Sequence, residues 1–162
     1  MRLRQWKTLA SMSHHRLYHA SALLLHDGRV LSTGSGEPAA SGLTDDLTAE
    51  IFSPPYLFNP DGTPATRPVI SGTPTNIAYG STFTVTTASA ASIAKVTLIR
   101  LSSVTHAVNM NQRANVLSFT VGSGALNVTA PLNNKLAPPG HYMLFIMTTG
   151  GVPSVAKIVR MG

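Results

Sequence analysis

The chain has 162 residues, 43% of them hydrophobic, enough for one ordinary domain or for a small domain with an appendage. Only 11% of residues are charged, against roughly 25% in an average soluble protein, and Thr, Ser, Ala, Val, Gly and Pro fill the difference. The absence of cysteine excludes a disulfide framework, a thiolate zinc site and a cysteine nucleophile; the formal charge is 12 − 6 = +6, but the basic residues are scattered and make no nucleic-acid stripe.

In chain order, MRLRQWKTLASMS carries basic residues but no continuous apolar stretch, so it does not read as a secretory signal. No run in the chain approaches the roughly 20 apolar residues that span a bilayer. LYHASALLL predicts a strand, HDGR a two-residue Asp27-Gly28 turn, and RVLST the return strand. Asp-Gly between apolar runs is the signal for a type I′ hairpin turn, which needs positive φ at both central residues. GSGEPAASGLTDD reads as a loop and TAEIFS as a third strand, which completes a small meander over residues 1–53. Leu23, Leu24, Leu25, Val30 and Leu31 place apolar residues on both of its faces. Three strands cannot bury two faces unaided. The unit therefore resembles one propeller blade apart from its ring, or one that packs on copies of itself or on the rest of the chain.

Residues 54–67, within SPPYLFNPDGTPATRP, are dense in Pro, Gly and Asn and form a connection in which Tyr56 and Phe58 are expected to dock. Residues 68–162 hold seven short strand candidates: PVISG, TFTVTT, IAKVTLIRL, NVLSFTV, ALNVTAP, HYMLFIMTT and SVAKIVRM. No segment sustains a helical period. The expected class is all-β, a seven-stranded immunoglobulin-like β-sandwich preceded by the single blade. In NVLSFTV, Leu117, Phe119 and Val121 alternate with Val116, Ser118 and Thr120, as in a half-buried strand.

The candidate chemistry lies in two stretches. SSVTHAVNMNQR places His106 among small polar residues just after a strand; by spacing alone it is either a ligand or a polar residue that caps a turn. RLYH sets Tyr18 beside His19 at the start of a strand. Adjacent strand residues point to opposite faces, so both can reach one point only where the backbone departs from regular pleating.

WKTLASMSHHRLYHASALLLHDGRVLSTGSG, EIFSPPYLF, SSVTHAVNMNQR and PPGHYMLFIMTTGGVPSVAKIVRM together resemble the galactose oxidase and glyoxal oxidase family: its last kelch repeat, its exit from the propeller and its C-terminal immunoglobulin-like early set domain. The resemblance covers nearly the whole chain. It implies a copper radical oxidase that oxidises a primary alcohol or aldehyde with O2 and releases H2O2. It implies Cu(II) held by His19 and His106, with the Tyr18 phenol as axial ligand and candidate base, and Asn109, Gln112 and Arg113 bracing the loop. The family's second oxidising equivalent resides on a tyrosine cross-linked to a cysteine; with no cysteine here, that radical cofactor cannot form within this chain. The implied role is then part of a copper site, completed by the remaining propeller blades or accompanied by self-association through the blade. The family is mostly secreted. The alternative is a non-catalytic β-sandwich module that binds carbohydrate or protein.

His14 and His15 read as an exposed loop, His26 as solvated and His141 as a cap at a strand start. Asp45, Asp46 and Glu50 read as a solvated loop and strand edge rather than paired acid–base carboxylates. Asn127-Val128-Thr129 fits a glycosylation sequon.

Overall fold

The structure, a computed structural model, describes residues 7–36 and 45–162. The Trp6 end of the resemblance and residues 37–44 of the expected loop lie outside the described residues. Among the described residues the protein is all-β, with thirteen strands and two single-turn 3₁₀ helices, Pro55–Leu57 and Ala90–Ser92.

Strands β1 (Ser21–Leu24), β2 (Val30–Thr33) and β3 (Ala49–Phe52) form an antiparallel sheet in the order β1-β2-β3. Leu23, Leu31 and Ile51 stand opposite one another across it. The β1–β2 turn differs from the two-residue form expected. Leu25 N donates to Arg29 O at 2.8 Å and Gly28 N to Leu25 O at 2.9 Å, so three residues, His26 to Gly28, make the loop. Gly28 alone has positive φ, at 84°. Asp27 instead accepts from Arg29 N at 3.0 Å and from Arg29 Nε at 2.7 Å. Two hydrogen bonds hold the aspartate out of the left-handed region, and glycine, which enters it without a steric cost, takes the bulge position.

Residues 68–162 form two packed sheets and a small ribbon. The larger sheet has the order β4-β13-β12-β6-β9, from Asn76–Ile77, Lys157–Met161, Gly140–Thr148, Ile93–Arg100 and Ala114–Leu117. The smaller has the order β10-β11-β5, from Phe119–Gly122, Ala125–Thr129 and Thr82–Thr86. The ribbon pairs β7 (Val104–Thr105) with β8 (Val108–Asn109). The two sheets thus hold eight strands among the described residues rather than seven. PVISG contributes only a bridge from Gly72 to Thr86. NVLSFTV breaks at Ser118 and passes from one sheet to the other as β9 and β10. A chain that changes sheets cannot keep one face inward, so Leu117 is buried while Val121 is 54% exposed.

Between the sheets lie Val85, Val96, Leu98, Leu126, Val128, Leu144 and Ile146, all fully buried. Tyr142 is also fully buried, and its hydroxyl donates to Pro138 O at 2.6 Å. β12 departs from one-sided alternation. Tyr142, Leu144 and Ile146 face the sandwich core, while Met143 and Phe145, on the opposite face, are buried as well. Leu24 of β1 and Ile99 of β6 pack against that second cluster with Ala156. The small sheet is therefore docked on the outer face of the five-stranded sheet. An unbroken apolar run such as YMLFIM is the mark of a strand covered on both sides.

Polar contacts close the seam. Ala156 N donates to His26 O at 2.8 Å, and the Tyr56 hydroxyl donates to Gly28 O. Arg67 Nε and Nη2 donate to Pro153 O and Ser154 O at 2.8 and 2.6 Å. Tyr56 docks as expected, whereas Phe58 stays 39% exposed. Replacing Phe145 with alanine empties the seam and costs about 3–5 kcal/mol in equilibrium urea unfolding; a cost under about 1 kcal/mol would show that the small sheet is not held there.

Candidate metal centre

Tyr18 and His19 lie in a turn just before β1. Ala20 N donates to Leu17 O at 3.1 Å, and His19 has φ of 63° at the third position, the pattern of a type II turn. Glycine or asparagine ordinarily occupies that place. The left-handed backbone cancels the alternation of neighbouring side chains. The Tyr18 and His19 rings stack instead, with centroids 4.0 Å apart and planes inclined by 28°.

The 34–36 segment cradles this turn. Gly36 N donates to Tyr18 O at 3.0 Å, and Leu17 N donates to the buried Ser35 Oγ at 3.1 Å. Gly34 has φ of 79°, and a β-carbon there would stand 2.4 Å from His19 O. Arg16 fastens the other side: its guanidinium donates to Thr48 O, Thr48 Oγ1 and Glu50 Oε2 at 3.1, 3.1 and 3.3 Å, and lies 3.5 Å from Asp46 Oδ1. His14 Nδ1 meets Asp46 Oδ2 at 2.9 Å, and Ser13 N donates to Glu50 Oε1 at 2.8 Å. Asp46 and Glu50 are therefore clamps on the segment that leads into Tyr18, not a freely solvated edge as expected. The Thr48 hydroxyl, then the Thr48 N–H and His14, hold the Asp46 carboxyl well below the usual carboxylate range.

His106 comes from the sandwich. It forms, with Ala107, the two-residue loop between β7 and β8, and their φ values are 51° and 65°. This is the type I′ pattern expected at Asp27-Gly28, built here from two residues with β-carbons. Left-handed backbone costs an ordinary L-residue roughly 1–2 kcal/mol. Asn109 braces the loop: its Oδ1 accepts from Ser103 N at 3.3 Å and Asn111 N at 3.0 Å, and its Nδ2 donates to Ser102 Oγ at 3.1 Å. Thr105 Oγ1 lies 2.6 Å from His106 Nδ1. The His106 ring meets the His19 ring edge to face, with centroids 4.9 Å apart and planes at 73°.

The structure thus brings Tyr18, His19 and His106 together from two separate units, with all three side chains on the exposed surface. His15 and His26 are exposed elsewhere, and His141 lies within β12 opposite Arg160 rather than capping it. Asn127 is exposed in the middle of β11. Among the described residues no three His, Cys, Asp or Glu side chains gather into a metal cluster. A metal at this place would depend on two imidazoles with the Tyr18 phenol as third donor. Two imidazoles, a phenolate and open positions fit tetragonal Cu(II).

Residues 67–161 match the family described as galactose oxidase-like, early set domain. The chain belongs to that family. Galactose oxidase of Gibberella zeae is 42% identical over 148 residues, which cover 90% of this chain and 21% of that protein. Aldehyde oxidase GLOX1 of Arabidopsis thaliana is 35% identical over 172 residues, 97% of this chain and 28% of that protein. Among solved structures, a fungal alcohol oxidase of the AA5 family in complex with copper superposes with a TM-score of 0.83 at 35% identity, over 94% of this chain and 32% of that one. This galactose oxidase-like chain therefore spans between a fifth and a third of the relatives it matches.

Gly34→Ala sets a methyl group against the His19 carbonyl and destabilises the fold by more than about 1 kcal/mol, read by chemical denaturation. Asp46 gives the second test. A carboxylate whose folded-state pKa is depressed stabilises the fold above its unfolded value, and that contribution disappears as pH falls through the folded one. Asp46→Asn should flatten the fall in thermal stability below about pH 4; an unchanged acid limb would remove Asp46 from the account.

Proposed function

We propose that this chain supplies part of the copper site of a galactose oxidase-like oxidase, with residues 1–53 as a kelch-type blade, 54–67 as the connection and 68–162 as the immunoglobulin-like early set domain. The observation that carries the proposal is the approach of His19 and His106, 4.9 Å between ring centroids, from loops of two separate units. Each loop takes a left-handed backbone at its histidine, at 63° and 51°. Strain of this kind persists only where surrounding contacts over-determine it, and it collects at functional sites.

In this reading His19 and His106 hold the metal equatorially. Tyr18 stands beside them to accept the hydroxyl proton of an alcohol substrate. When bound, copper would supply one-electron redox chemistry. The second oxidising equivalent would belong to a cross-linked tyrosine outside this chain, since the chain has no cysteine for a thioether. Further blades would complete the pocket and seat on the small sheet. In support, Leu17, Leu47 and Ile51 of that unit are 42%, 94% and 49% exposed. The substrate would be a primary alcohol or aldehyde oxidised with O2 to give H2O2.

Adding Cu(II) to the purified chain, followed by electron paramagnetic resonance, tests the site. A tetragonal signal with nitrogen hyperfine structure is expected, and it should vanish in a His19→Ala, His106→Ala double variant with unchanged circular dichroism. Stoichiometric copper uptake that ignores the double substitution, or no uptake at all, would sink the proposal.

A further inference from the structure

The hydrogen bond between Thr105 and His106 decides which nitrogen of this ring is available. An imidazole has two nitrogens, and a neutral ring carries its proton on only one. Nδ1 of His106 is occupied by Thr105 Oγ1, at 2.6 Å. The contact is not a free rotor's choice. The hairpin fixes the backbone on both sides of the ring: β7 pairs with β8 at Val104↔Asn109 and Thr105↔Val108, and both loop residues sit in the left-handed region. Asn109 then ties the base of the ribbon to Ser102, Ser103 and Asn111.

A threonine hydroxyl can donate or accept. If it donated to Nδ1, the proton of the neutral ring would sit on Nε2 and neither lone pair would be open. If it accepts from Nδ1–H, the Nε2 lone pair points away from the loop, ready for a metal. We infer that Thr105 holds His106 as its Nδ1–H tautomer and makes Nε2 the nitrogen that a metal would meet. Thr105 is then a positioning residue, which acts through His106 and not on the metal itself. The direction of the hydrogen bond rests on the copper reading above; the contact itself does not.

The test uses the full chain without metal. Long-range 15N–1H correlation spectra, recorded near pH 8 where an ordinary imidazole is neutral, distinguish the two tautomers directly. Nδ1–H should dominate for His106 in the wild-type chain. Thr105→Val, which keeps the branched shape and removes the hydroxyl, should lose that preference, and Thr105→Ser should restore it. Cu(II) affinity should fall roughly 10–100-fold in the valine variant, the usual cost of losing a ligand's hydrogen-bond partner, and recover in the serine variant. An Nε2–H tautomer in the wild type, or a tautomer indifferent to Thr105→Val, overturns the inference. Nδ1–H that depends on Thr105 in a chain that takes up no copper upholds it and removes only the copper reading.

Discussion

The structure depends on one strand being covered twice. β12 gives Tyr142, Leu144 and Ile146 to the sandwich core and Met143 and Phe145 to the seam with the small sheet. A pleated strand usually spends one face on a core and leaves the other to solvent; here neither is wet. The seam is what turns a three-stranded sheet, too small to be stable alone, into a fixed shelf. Without it the turn that bears Tyr18 and His19 would have no defined relation to the ribbon that bears His106. The proximity of the candidate ligands is therefore a property of packing some distance from them.

Both histidines sit where the chain pays for its shape. The turn Leu17–Ala20 and the β7–β8 hairpin each use a left-handed residue with a β-carbon where glycine or asparagine would be easier. Glycine there would carry no ring. Supporting contacts compensate locally: Gly34 and Ser35 beneath one turn, Asn109 beneath the other. The Arg16 clamp on Thr48, Asp46 and Glu50 does the same for the segment leading into Tyr18.

Much of this was legible in the residues. β-branched runs separated by Gly, Pro and Asn marked most of the strands, and the RLYH and VTHAVN stretches marked the candidate site. What escaped was decided by side chains acting on backbone. Asp27 turned a two-residue hairpin into a three-residue one by bonding Arg29, which no propensity for Asp-Gly reveals. Ser118 interrupted an alternating strand because the chain crosses between sheets, a tertiary demand with no local signature. Asp46 and Glu50 looked solvated because Arg16, their partner, lies some 30 positions earlier. The unbroken apolar run in β12 did hold the signal for two-sided burial, though not the identity of the second layer.

The connection between the units has its own consequence. After the buried Leu57, the chain turns back on itself: Asn59 N donates to Thr63 O at 2.8 Å, and Ala65 N donates to Leu57 O at 2.9 Å. The excursion closes before Arg67 reaches Pro153 and Ser154. Its tip, residues 59–63, is exposed and carries none of the seam. Chain length there is thus decoupled from where the two halves of the site stand. A closed surface loop accepts added residues at small entropic cost, so this is where such a chain could lengthen, acquire a fused module or be opened into new termini while the ring-to-ring geometry stayed in place.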